Sequence, residues 1–194
     1  MPNYKLTYFN FKGRAEILRY LFAYTNTEFE DHRIEYKDWP SCKDSYPFGK
    51  LPVLEIDGTV YYQSLAIGRY LAKKAGLAGK TDLDDLRIDA ILDTIDDFVS
   101  RFPWDAADQE KKEYIDKFGG TVLSGLAKEL GDNKWFLGKY VTWADFFWDI
   151  CSDGIIYYQP DFSKDYPNLL SLKKRVKELP EIAAWIKRRP QTEY

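Results

Sequence analysis

"LPVLEIDGTVYYQS", Leu51–Ser64, decides the fold. Two β-rich runs flank Asp57-Gly58, a pair suited to the tight turn of a two-residue hairpin, so the stretch reads as two antiparallel strands. Pro52 has no N–H for a ladder, which puts it at the start of the first strand. Ser64 then stands as the N-cap of "LAIGRYLAKKAG", whose Ile67, Tyr70 and Leu71 are apolar. Gly76 or Gly79 closes that helix.

Toward the N-terminus, Tyr4, Leu6 and Tyr8 alternate with Lys5, Thr7 and Phe9, a first strand with mixed faces. Gly13 marks a short turn. "RAEILRYLFAY" carries Ala15, Leu18, Leu21 and Phe22 at the spacing of an amphipathic helix. A strand around Phe29–Ile34 follows, and β-α-β order predicts two parallel strands with a right-handed crossover. "KDWPSCKDSYPFGK" is a polar, Pro-rich connection. Residues 1–76 therefore read β-α-β-β-β-α.

Beyond a linker, residues 77–82 ("LAGKTD"), residues 83–194 read all-helical. Thr81 and Asp84 have capping-box spacing, as do Thr142 and Asp145. Ile88, Ile91, Leu92, Ile95, Phe98 and Val99 form a core stripe. Gly119-Gly120 is expected to break a helix after the polar "AADQEKKEYIDKF". "WADFFWDIC", "NLLSLKKRVKEL" and "PEIAAWIKRR" complete the helical part. An α/β unit joined to an all-helical unit allows a ligand in the seam between them.

Bulk properties narrow the function. The 194 residues carry a net charge of -3 and 17% aromatics, which argues for a large core or an apolar ligand pocket and against nucleic acid as a partner. Lys187–Arg189 read as a solvated helix end. Two cysteines make no disulfide framework and suit a reducing compartment. Neither a signal peptide nor a membrane span is apparent, so a cytoplasmic location is expected. The single histidine, His32, argues against Ser-His-Asp catalysis and histidine-rich metal sites, and reads as structural. One oddity remains. In "IDAILDTIDDF", Ile88–Phe98, the carboxylates Asp89, Asp93, Asp96 and Asp97 share one helix face, where like charges repel by a few tenths of a kcal/mol per pair.

Several motifs in register, "MPNYKLTYFN", "FEDHRIE", "PFGK", "QSLAI", "DTIDDF", "FPW", "VTWADF" and "WIKRRPQT", resemble the sigma class of cytosolic glutathione transferases, and within it the vertebrate branch that isomerises prostaglandins. The resemblance covers nearly the whole chain. The segment Asp105–Lys134 is shorter than in the family by about a helical turn or a little more. It implies a thioredoxin-like N-terminal domain, an all-helical C-terminal domain and a homodimer. The implied activity is glutathione-dependent isomerisation of prostaglandin H2 to prostaglandin D2, with transferase activity on electrophiles. A general detoxifying transferase and a non-catalytic, crystallin-like or ligand-binding protein are the alternatives.

The resemblance also implies roles. A free thiol titrates near 8.5 and is mostly protonated at neutral pH, whereas a tyrosine near 10 keeps its proton and can donate to a thiolate. Tyr8 has this role, supported by the charge of Arg14. Leu51, Gln63 and Ser64 hold the backbone and γ-glutamyl end of glutathione, the last at a helix N-terminus that favours a carboxylate. Trp39, Lys43 and Lys50 hold its glycyl end, and Gly49 is a further glutathione-binding position. Asp97 reaches the glutathione of the partner subunit. Phe9, Phe11, Gly13, Val99, Trp104, Phe147, Cys151 and Tyr194 line the pocket of the second substrate. Phe147, Val99 and Tyr194 replace the tyrosine, methionine and leucine of the mammalian members of the prostaglandin-isomerising branch. Asp93 and Asp96, with Asp97, are the expected oxygen ligands of a modulating Mg²⁺ or Ca²⁺ at the dimer interface.

Overall fold

The computed structural model describes residues 2–192, apart from the side chains of residues 162 and 163. Strand β1 (Tyr4–Phe9) is central in a four-stranded sheet of order β2-β1-β3-β4, with β2 (Glu30–Ile34), β3 (Val53–Ile56) and β4 (Thr59–Tyr62). β1 pairs in parallel with β2 and antiparallel with β3, and β3 pairs antiparallel with β4. The hairpin turn has positive φ at both Asp57 (50°) and Gly58 (85°), the signature of the type I′ turn that Asp-Gly favours. The Leu51–Pro52 peptide before β3 is cis. His32 lies on β2, the strand expected for it, half-buried with Nδ1 3.3 Å from the Thr7 hydroxyl.

Helix α1 (Glu16–Tyr24) differs from its reading as amphipathic. Every residue from Glu16 to Ala23 is buried, including the charged Glu16 and Arg19. The reason is cover on several sides, since α1 packs against α3 (Ser64–Ala75) and α9 (Pro180–Arg188). Short helical turns fill the connection after β2, including α2 (Trp39–Cys42). Gly76 ends α3 in the left-handed conformation with φ 69°, a position glycine adopts without the Cβ penalty.

The chain divides into two compact units. One holds the residues up to Gly76 together with those from Pro180 onward; the other runs from Leu77 to Leu179. By its contacts, the last helix of the expected 83–194 helical domain groups with the first unit. Helix α9 carries Ile182 and Trp185, buried at 0% and 6% exposure, and that apolar face is used in the first unit. Leu77, read as linker, is buried and its carbonyl accepts from Trp143 N–H within the second unit.

The second unit contains α4 (Asp82–Ser100), α5 (Asp108–Tyr114), α6 (Gly120–Leu130), α7 (Trp143–Tyr158) and α8 (Pro167–Lys177). Both capping boxes form, at Thr81/Asp84 and at Thr142/Asp145. Gly119-Gly120 does not break the chain. A π-helical turn, Ile115–Gly119, joins α5 to α6, and both glycines hold right-handed helical angles. Glycine lowers helix propensity by about 1 kcal/mol but does not forbid the conformation. Burial of Ile115, Leu123 and Leu126 outweighs that deficit.

Candidate active site

Sheet register brings three chain segments to one end of the first unit. Thr7 of β1 pairs with Val53 of β3, and Val53 pairs with Tyr62 of β4. The residues just beyond these positions therefore share an edge. They are Tyr8 and the turn at Gly13, Leu51 ahead of β3, and Gln63-Ser64 after β4. Nothing in this convergence is visible from residue spacing alone.

Tyr8 is 6% exposed. Its hydroxyl accepts a hydrogen bond from the Arg14 backbone N–H at 3.2 Å, which leaves the phenolic proton available for donation. Burial raises the Tyr8 pKa, opposed by the Arg14 N–H and by the charges of Arg14 and Arg19. The phenol thus stays protonated at neutral pH. Gly13 makes room above it: φ is +43°, and a Cβ there would lie 2.6 Å from the Tyr8 hydroxyl and 2.7 Å from the Phe11 ring. The space beside the hydroxyl exists because residue 13 lacks a side chain. Arg14 is exposed in the three-residue turn Gly13–Ala15 that leads into α1.

An aromatic cluster surrounds this point. Phe11 meets Tyr8 edge-on at 5.3 Å and stacks on Phe9 at 5.6 Å. Phe9 in turn meets Trp39 at 5.3 Å, and Trp39 meets Tyr46 at 5.7 Å. Trp39 is thereby tied to β1. Lys43 lies beside Gly49, where a Cβ would approach the lysine Cε to 3.0 Å; Gly49 has φ +56°, and Lys50 follows it, exposed. The nine residues assigned to glutathione within one subunit all belong to this first unit.

At the start of α3 the structure corrects one expectation. The N-cap is Gln63, with φ 73° and no side-chain capping bond, and Ser64 is the first helical residue, 6% exposed. No Ser64 cap claims the first-turn N–H donors, and an uncapped N-terminus of a twelve-residue helix attracts an anion.

The residues assigned to the second substrate divide between the units. Phe9, Phe11 and Gly13 stand beside Tyr8. In the second unit, Trp104 is 46% exposed, donates Nε1–H to the Val99 carbonyl at 3.1 Å and meets Phe102 at 4.6 Å. Its ring closes over Gly154, where a Cβ would lie at 3.2 Å. Val99 packs on the cluster of Phe98, Phe102, Ile115 and Ile155. Phe147 is buried and Cys151 half-buried on α7. Tyr194 lies outside the described residues.

Along α4, Asp93 and Asp97 are exposed and Asp89 and Asp96 half-buried. Asp97 pairs with Arg101 at 3.6 Å, both more than 70% exposed; such a pair contributes little. Among the described residues of one chain, no three His, Cys, Asp or Glu side chains converge as a metal site. No helix among them is long and apolar enough to cross a membrane.

Sequence reasoning missed a buried charge network behind the Tyr8 loop. Arg19, 0% exposed, donates Nε–H to Asp31 at 3.0 Å, and Nη1–H to the carbonyls of Phe11 (2.9 Å) and Lys12 (3.3 Å) and to Glu16 (3.1 Å). Glu16 also accepts from Trp185 Nε1–H at 2.8 Å and Arg189 Nη1–H at 2.7 Å. Arg189 is thus no solvated helix end: its side chain is 13% exposed. The available signal was a Glu and an Arg three apart inside "EILRYLFAY", an otherwise apolar helix.

Comparison with known proteins identifies the family. Residues 4–73 match the glutathione S-transferase N-terminal domain and residues 93–189 the glutathione S-transferase C-terminal domain. The hematopoietic prostaglandin D synthase of Gallus gallus is 54% identical over 200 residues, covering 99% of both chains. That of Homo sapiens is 50% identical over 197 residues, again covering 99% of both. A solved structure of rat hPGDS complexed with a quinoline superposes with a TM-score of 0.93 at 52% identity over 100% of both chains. Over both of its domains, the chain belongs to the glutathione S-transferase family.

Proposed function

We propose that the protein is a glutathione-dependent prostaglandin D synthase that also conjugates glutathione to electrophiles. Glutathione is the co-substrate. Its sulfur, as thiolate, opens the O–O bond of prostaglandin H2 and is regenerated when the ketone forms, so the net reaction is an isomerisation. The thiolate itself is a candidate for the base that takes the carbon-bound proton. One observation carries the reading: a buried, protonated Tyr8 whose hydroxyl already accepts the Arg14 N–H and retains its own proton. A donor held there favours the charged form of a thiol and lowers its pKa. Arg14 adds positive charge on the same side.

In this reading Leu51 pairs with the cysteinyl backbone of glutathione. Gln63 and Ser64 take its γ-glutamyl carboxylate at the uncapped start of α3. Trp39, Lys43 and Lys50 take the glycyl end, with Gly49 a further glutathione-binding position. For the second substrate the reading assigns Phe9, Phe11 and Gly13 in the first unit and, separately, Val99, Trp104, Phe147 and Cys151 in the second. Two copies pair, with Asp97 reaching the partner's glutathione and Asp93 and Asp96 offering oxygens to a shared Mg²⁺ or Ca²⁺. Within one chain these carboxylates do not converge, so the cation reading requires the second copy. A cytoplasmic setting suits the two free cysteines.

The test is product analysis. Purified protein, glutathione and prostaglandin H2 should give prostaglandin D2, with no enzymatic product when glutathione is omitted. Spontaneous breakdown products alone, beside fast conjugation of a model aryl halide, would replace this reading with that of a general detoxifying transferase.

A further inference from the structure

The thiol-activating loop hangs on a single buried guanidinium. Residues Phe11, Lys12 and Gly13 connect β1 to the turn before α1, and they set the space above the Tyr8 hydroxyl. Of their carbonyls, those of Phe11 and Lys12 are both held by Arg19 Nη1. The Arg19 guanidinium carbon lies 6.0 Å from the centroid of the Tyr8 ring. Its Nη2 finds no hydrogen-bond partner among the described residues.

Two carboxylates fix where Arg19 stands. Asp31 takes Nε–H and is itself held by Arg33, with Nε 2.9 Å and Nη2 2.8 Å from Asp31 Oδ2. Glu16 takes Nη1–H through Oε2, and its other oxygen, Oε1, is held by Trp185 and Arg189. Glu16 is 1% exposed. Burying a carboxylate this deeply is costly unless donors surround it, and two of its three donors among the described residues come from the last helix and the residue just after it. Trp185 is fixed in turn by packing 6.3 Å from the Phe29 ring.

We propose that Trp185 and Arg189, acting through Glu16 and Arg19, are positioning residues for the Phe11–Gly13 loop, so that the C-terminal segment sets the geometry in which Tyr8 meets the glutathione sulfur. This rests on the reading of Tyr8 as the thiol-activating donor. The charged groups facing the relay are Glu16, Asp31, Arg19, Arg33 and Arg189. Ser64, Gln63 and Leu51 lie on other elements, so glutathione affinity should be spared while thiol activation suffers.

The test uses the full-length protein saturated with glutathione, titrating the bound thiol by its ultraviolet thiolate absorbance. Trp185→Phe removes a donor without changing charge, and Arg189→Met removes the cation. Both should raise the bound thiol pKa by roughly half a pH unit, which lowers the thiolate fraction about three-fold below that pKa. Turnover with an aryl halide should fall to match, with the KM for glutathione changed by less than about two-fold. Arg189→Lys should restore most of the loss. Folded Trp185→Phe and Arg189→Met proteins that melt lower yet keep the wild-type thiol pKa would overturn the proposal and leave the contacts purely structural. Should Arg189→Met not fold, Trp185→Phe decides alone: a wild-type thiol pKa in the folded Trp185→Phe protein overturns the proposal. Tyr8→Phe in the same titration separates the two readings. An unshifted thiol there overturns the Tyr8 reading itself, whereas a shifted Tyr8→Phe beside unshifted Trp185→Phe overturns only the relay.

Discussion

Gly13 and Tyr8 are fitted to each other: a Cβ on residue 13 would lie 2.6 Å from the Tyr8 hydroxyl, and the residue holds φ +43°. Gly13→Ala should therefore fail twice, through backbone strain of about 1–3 kcal/mol and through displacement of the hydroxyl. The expected outcome is a folded protein with a lower melting temperature and turnover reduced by about ten-fold or more. Thermal denaturation beside a glutathione-conjugation assay checks both.

Buried and exposed ion pairs should behave differently on removal. Glu16→Ala leaves Arg19 and Arg189 without their shared carboxylate and should destabilise the protein by about 3–5 kcal/mol. Glu30 pairs with Lys5 at 3.0 Å at the surface, with side chains 59% and 37% exposed, so Glu30→Ala should change stability by less than about 0.5 kcal/mol. Urea denaturation of the two variants measures the contrast.

Asp145 accepts from the Phe136 and Thr142 backbone N–H groups and from the Thr142 hydroxyl. Burial nonetheless pushes its pKa from 3.8 up to about 6. Because the folded value is the higher one, the folded state keeps a proton that the unfolded state releases. The Asp145 contribution is fully present below about pH 4 and is lost as pH rises through 6. Stability relative to Asp145→Asn should fall across this window, by on the order of 3 kcal/mol. A flat difference between pH 4 and 6 contradicts this assignment.

The acidic stripe gives a separate expectation. Millimolar Mg²⁺ or Ca²⁺ should alter the KM for glutathione in the wild type, and Asp93→Asn or Asp96→Asn should abolish the response. A wild type and variants that are all indifferent to both ions would remove the interface cation.

Local signals in the chain were legible because their causes are local. Asp57-Gly58 dictated its turn, and Thr81/Asp84 and Thr142/Asp145 closed their caps, since each depends on residues within one turn. Ser64 misled as a cap because the backbone of Gln63 took that place. Gly119-Gly120 misled because propensity loses to packing of Ile115 and Leu123. Glu16 and Arg189 meet across 173 positions, and no periodicity reports such a pair. For the same reason only family resemblance nominates residues for glutathione, while the sheet register alone brings Tyr8, Leu51 and Gln63-Ser64 to one edge.

Tyr8→Phe measured in prostaglandin H2 turnover tests the central claim most directly. The variant loses a single donor, and a hydrogen bond to a charged group contributes about 1.5–3 kcal/mol, so prostaglandin D2 formation should fall by roughly ten- to a hundred-fold while glutathione still binds. Wild-type rates of prostaglandin D2 formation by folded Tyr8→Phe protein would contradict the account.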